Sequence, residues 1–194
     1  MADQYPFFAY LSRMRYINRW GLMRNTVQEN IQEHSHMVAV LAHALAVIRR
    51  DVFGAPCDPG EAAVAALYHD APEIFTGDLP TPVKYYNPEI RDAYKEVEAT
   101  SAAKLLSMLP EELRPSYDHY LREDYDSALH ALVKAADKLS AHIKCLEELK
   151  AGNHEFEAAA RQTLEAVKAT ALPEVDYFLT HFLPGFGLTL DELQ

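Results

Sequence analysis

The chain has 194 residues, 49% of them hydrophobic, and a formal charge of −11 from 18 Lys and Arg against 29 Asp and Glu. That length suits one ordinary domain with a sizeable core, and no stretch approaches the roughly 18 unbroken apolar residues that a membrane span needs. The acidic balance argues against a nucleic-acid polymer as partner, because binding a phosphate backbone needs a basic field.

Almost every long segment carries a helical period, and none alternates over a strand length. The opening residues MADQYPFFAYLSRMRYINRW lack a basic region ahead of a long apolar run, so no secretory signal is expected. They predict a first helix over residues 5–18, with Phe7, Phe8, Leu11 and Met14 as apolar positions. Residues 1–24 set Arg13, Arg15, Arg19 and Arg24 against Asp3, a local +3 that leaves −14 for the rest. Charge alone favours solvated arginines on a helix face, although a small anion could also be met there. The second helix is predicted from Asn25 or Thr26 to Arg50, with Ile31, Val38, Leu41, Leu45 and Ile48 on one stripe. DPGEAAVAALYHD opens with a capping acid and a proline and predicts a helix over 59–70. TGDLPTPVKYYNP, with Gly77, Pro80, Pro82 and Pro88, predicts a stiff loop beside that helix end, a good place to hold a ligand. Asn87 caps a helix begun by Pro88, a short helix follows near Pro110, and a long one covers 127–150. The last two are predicted over 154–170 and 174–183. Cys57 and Cys145 form no CxxC pair and read as reduced thiols in a cytoplasmic protein. No repeat, low-complexity tract or linker interrupts the series, so the expected fold is a single all-α domain.

The dipeptide His69-Asp70 is weak evidence by itself, since chance supplies one readily in a chain with nine histidines. Its position adds to it. Pro72 cannot continue the helix, which places the pair on the last turn, where unpaired carbonyls favour a cation. His34 lies three residues after Ile31 and four before Val38, on the buried stripe of the second helix; it is either a hydrogen-bonded core residue or a ligand. Asp137 sits among alanines inside the long helix, where burial is costly unless the carboxylate is paired or bound to metal; the alternative is an exposed Asp beside Lys138. Two imidazoles and two carboxylates suit a divalent transition metal and leave coordination positions open. Glu73 follows Pro72 closely and is a candidate proton donor or acceptor, or simply an acid stabilised at a helix N-terminus. Trp20, the single Trp, reads from the residues alone as core.

His34, His69-Asp70 and Asp137 on successive helices form the pattern H…HD…D, which resembles the all-helical HD-domain metal-dependent phosphohydrolases. LSRMRYINRWGLMRNTVQENIQEHS, YHDAPEIFTGDLPTPVKYYN, VKAADKLSAHIKCLEEL, AGNHEF and DYF are similar to bacterial YfbR-type 5′-deoxynucleotidases nearly from end to end. Residues 112–126 and the C-terminal tail are more individual. The resemblance implies one HD domain over 1–194 and a homodimer. It implies one divalent metal (Mn, Co, Cu, Fe or Zn) held by His34, His69, Asp70 and Asp137. Glu73 would be the general acid, Arg19 would orient the phosphate and Trp20 would crowd the sugar 2′ position. Asp70, Asp78, Leu79, Pro80 and Thr81 would contact the nucleotide. The implied reaction removes the 5′-phosphate from small-molecule deoxyribonucleoside 5′-monophosphates. Two alternatives stand beside it: another HD phosphohydrolase acting on nucleoside triphosphates or signalling nucleotides, and a metal-free helical binding protein.

Overall fold

Small side chains set the spacing of the central helices. The computed structural model describes residues 4–84 and 86–193, without the side chain of Thr81. In it α2 (Ile31–Asp51), α3 (Pro59–Tyr68) and α8 (Ser127–Lys150) pack through Ala42, Ala46, Ala62, Ala65, Ala66, Ala135 and Ala136. Leu41, Leu45, Leu132 and Leu139 fill the space between, each contributing roughly 1.5–3 kcal/mol by burial. With methyl groups at the contacts the backbones approach closely, and short polar side chains on facing turns can meet.

A second apolar cluster joins α1 (Phe7–Leu11), α6 (Pro88–Ser107) and α7 (Arg114–Leu121) through Phe7, Leu105, Leu106, Leu109 and Leu121, and it includes Ala71. A third, small cluster places Phe156 and Ala160 against Cys145, with Trp20 and Met23 packed on it. It lies at the start of α9 (Glu157–Lys168), which α10 (Pro173–His181) follows. Among the described residues the only strand-like pairing is an isolated antiparallel bridge between Asn18 and Asn30. No described helix is long and apolar enough to cross a membrane.

Helix starts follow the caps. Asp58, Asn87 and Asp126 each accept main-chain N–H bonds ahead of α3, α6 and α8, interactions worth about 1 kcal/mol apiece. Three expectations need correction. The first helix is α only over Phe7–Leu11 and tightens to 3₁₀ over Ser12–Tyr16. The second begins at Ile31, not at 25 or 26, because Asn30 closes a capping box with Glu33. Before it, the N–H groups of Thr26 and Val27 bond to Glu148 on α8, which ties this non-helical stretch to the long helix. The stiff loop contains a single helical turn, α5 (Thr81–Lys84), and is preceded by α4 (Glu73–Thr76), the new turn that follows Pro72.

Candidate active site

Pro72 shapes the centre. It has no N–H to give Tyr68, whose carbonyl instead takes the Ala71 N–H at 3.0 Å. α3 therefore stops at Tyr68, and His69 and Asp70 occupy a tight turn that leads into α4. The next N–H, from Glu73, bonds back to the Asp70 carbonyl at 3.0 Å. The buried face of α2 and the middle of α8 bring His34 and Asp137 to the same turn.

The four polar side chains meet there. His34 Nε2 lies 3.0 Å from Asp137 Oδ1 and 3.6 Å from Asp70 Oδ2, and His69 Nε2 lies 3.2 Å from Asp70 Oδ2. Ligand atoms of His34, His69 and Asp70 all fall within 4.8 Å of one another; Asp137 joins through His34 and lies outside that mutual group. The His69 ring is fixed from behind: Nδ1 sits 2.7 Å from the Ala66 carbonyl, which can only accept, so Nδ1 carries the proton. Buried Nε2 faces Asp70 Oδ2 at 3.2 Å, and although burial opposes the charged ring, the Asp70 carboxylate draws a proton, or a cation in its place, to that nitrogen and raises the ring's tendency to charge. His34 Nδ1 is likewise met by Ser140 Oγ at 3.2 Å. Two imidazoles held through their rear nitrogens, with carboxylates beside the front ones, fit a divalent transition metal.

The charges fit the same picture. Burial opposes ionisation of Asp70, but His69, His34 and Arg19 outweigh it and hold the carboxyl well below the ordinary range. Asp137 is held low in the same way, burial being outweighed by His34 and His69. Glu73 behaves oppositely. It is 7% exposed, its Oε2 has no partner, and burial with the charges of Asp70 and Asp78 pushes it up to about 9. A buried carboxyl that keeps its proton at neutral pH, next to carboxylates that do not, is a separation of acid from ligand.

Arg19 closes the other approach to Asp70. Its guanidinium is 3.5 Å from Asp70, 3.9 Å from Asp78 and 3.2 Å from Glu29. Trp20 follows in the left-handed backbone region at φ 59°, its ring 5.4 Å from that of Phe156. Burial pushes Asp78 up, partly offset by Arg19. Leu79 and Pro80 are half-buried in the loop after α4, and the Thr81 side chain lies outside the described residues. A cavity of about 610 Å³ opens onto His69, Asp70 and Glu73 and is lined farther out by Lys84, Arg122 and Lys134, a size that suits a small ligand. Arg19, Trp20 and Asp78 do not line it. The residue pattern left Glu29, Ser140 and Lys134 unmarked. Lys134 is one turn before Asp137, and that i, i+3 spacing was the available signal.

Known proteins resemble this chain over nearly its whole length. A family profile described as 5′-deoxynucleotidase YfbR-like matches residues 6–186. A 5′-deoxynucleotidase of Vibrio atlanticus (strain LGP32) is 50% identical over 192 residues, 98% of this chain and 99% of its own length. An HD-domain phosphohydrolase of Listeria innocua superposes with a TM-score of 0.81 at 26% identity, over 93% of this chain and 87% of that one. The cyanophage S-2L HD phosphohydrolase DatZ, solved with dA and one catalytic Zn²⁺, shares the fold at a TM-score of 0.67 and 22% identity, over 97% of this chain and 99% of its own.

Proposed function

We propose a division of labour in this site from the premise that the chain belongs to the YfbR-like 5′-deoxynucleotidase family. It is a phosphoric monoester hydrolase that removes the 5′-phosphate from deoxyribonucleoside 5′-monophosphates. The observation that carries the assignment of roles is the contrast between two neighbours: ionised Asp70 beside two imidazoles, and protonated Glu73 one turn later.

His34, His69, Asp70 and Asp137 hold one divalent transition ion, drawn from Mn, Co, Cu, Fe or Zn; the donor set supports this class and does not select within it. When bound, such an ion supplies charge neutralisation at the phosphoryl oxygens and acidifies bound water. The remaining work falls to the protein. Arg19 presents a planar fork that matches phosphate and sets its orientation. Glu73 keeps its proton in a dry, acidic setting and donates it from the carboxyl oxygen to the 5′ oxygen of the departing sugar. Trp20 is a rigid wall against a 2′ hydroxyl. Asp78, Leu79, Pro80 and Thr81 border the nucleotide from the loop, and Asp70 serves both ion and substrate.

The reading extends to one HD domain over residues 1–194, acting as a cytoplasmic homodimer. The two free thiols, Cys57 and Cys145, agree with a reducing compartment.

A phosphate-release panel of ribo- and deoxyribonucleoside mono-, di- and triphosphates, with each divalent metal in turn, tests the substrate and the ion together. Release from deoxyribonucleoside monophosphates is expected; release from triphosphates alone would overturn the assignment. In the same assay Glu73→Gln is expected to keep its metal while turnover falls roughly 10²–10⁴-fold. Unchanged turnover would remove Glu73 from the acid role.

A further inference from the structure

Arg19 and Trp20 are adjacent in the chain, and both side chains end on one atom. Glu29 Oε2 accepts from Arg19 Nε at 3.2 Å and from Trp20 Nε1 at 3.0 Å. The same residue's main-chain carbonyl accepts the Arg19 N–H at 2.9 Å. Around these bonds the Asn18–Asn30 bridge and the Ile31 N–H to Ile17 carbonyl bond hold the two short segments in register.

This arrangement explains a strained residue. Trp20 occupies the left-handed region, which is disfavoured for any side chain with a Cβ and persists only where the surroundings over-determine it. Here the indole N–H is tied to Glu29 and one ring face rests against Phe156, which is fully buried. The guanidinium is tied through Nε, which leaves Nη1 directed toward Asp70 and Asp78.

We propose that Glu29 is a positioning residue that couples phosphate orientation to sugar selection, because a single carboxylate oxygen fixes the guanidinium and the indole relative to each other. The distance between the phosphate and the 2′ wall is then set by Glu29 and not by either residue separately. The inference rests on the roles assigned above to Arg19 and Trp20. It makes a distinction that a generic structural role does not: the two arms can be weakened unequally. Gln at this position keeps a carbonyl oxygen for the indole N–H but has no charge for the guanidinium, whereas Ala keeps neither.

The test uses the full-length, metal-loaded protein with Glu29→Gln and Glu29→Ala. Glu29→Ala is expected to raise KM and to cut the deoxyribo-over-ribo preference in kcat/KM about tenfold, equivalent to about 1.4 kcal/mol. Glu29→Gln is expected to raise KM while keeping the preference. Because Trp20 is the chain's single Trp, its indole N–H exchange reads the anchor without turnover. Exchange should accelerate in Glu29→Ala and stay close to the unsubstituted protein in Glu29→Gln. Unchanged preference and unchanged indole exchange in Glu29→Ala would overturn the coupling. Should Glu29→Ala fail to fold, Glu29→Gln decides alone: a raised KM with intact preference supports the inference, and an unchanged KM overturns it. Arg19→Ala and Trp20→Ala are measured in parallel. No effect in either would show that the assigned roles themselves fail. Clear effects there, with none at Glu29, would locate the failure in the coupling.

Discussion

The helices that position the proposed metal donors and the segment that carries Arg19 and Trp20 converge on Asp70, but different forces hold them. The α2–α3–α8 cradle is fastened by alanine and leucine packing; His34 and Asp137 project from regular helix, and His69 and Asp70 from the turn that ends α3. Residues 17–30 have little helix or sheet of their own. They are fastened by three carboxylates: Glu29 from within, Glu155, which takes the Arg24 N–H, and Glu148 from α8, which takes the N–H groups of Thr26 and Val27 and the Thr26 hydroxyl. Glu148 is 1% exposed and is balanced by buried Lys144 and by Asn153. The difference teaches where each region is fragile. Packing fails when a volume changes, and a carboxylate hub fails when a charge is removed.

The largest expected effect comes from removing the hub. Glu148→Ala leaves Lys144 buried without its partner and should cost roughly 3–5 kcal/mol of stability. Denaturant titration reads the cost, and metal analysis reads the cradle. If the two regions are held separately, stoichiometric metal is retained at low denaturant; parallel loss of metal would merge them into one.

The reciprocal experiment changes a volume. Ala66→Val overpacks the α3 contact and should cost about 1–3 kcal/mol. Ala66 also supplies the carbonyl that fixes the His69 tautomer, so metal affinity should fall while Trp20 indole exchange stays unchanged. Faster indole exchange would break the comparison from the other side.

A further effect, read through pH, concerns Glu73, which lies between the regions. In metal-stripped protein the folded chain holds a proton on Glu73 up to about pH 9, while the unfolded chain releases it near the ordinary value of 4.5. The unfolded state therefore binds fewer protons across that window, and stability falls as pH rises through it. Glu73→Gln removes this dependence. It should melt higher than the unsubstituted protein at pH 8, by about 2–4 °C for each kcal/mol at this chain length, and the gap should close near pH 4. A gap independent of pH would mean that Glu73 titrates normally.

The cradle was legible in the sequence and the segment was not, for the same physical reason. His34 sits on a 3.6-residue stripe, Asp137 sits among alanines, and Pro72 ends a helix; each signal is local. The order of residues 17–30 depends on a carboxylate 122 positions from Thr26, and helical reading of 25–30 failed because nothing nearby announces Glu148. The left-handed position falls on Trp20 and not on the adjacent Gly21, where a glycine would suggest it. Glu29 was passed over because its partners lie nine and ten residues away, across a turn that helical spacing does not describe. The helical turn α5 was likewise hidden inside a proline-rich stretch whose prolines suit a loop equally well.

The turn from Ala66 to Ala71 has a consequence of a different kind. Its first residue is packed into the core of α2, α3 and α8, and its last into the core of α1, α6 and α7. Neither body can shift against the other without displacing His69 and Asp70 between them. The turn is thus a gauge of alignment between the two cores: a substitution deep in the second, at Leu105 for example, would register at His69 and Asp70 before it registered as unfolding.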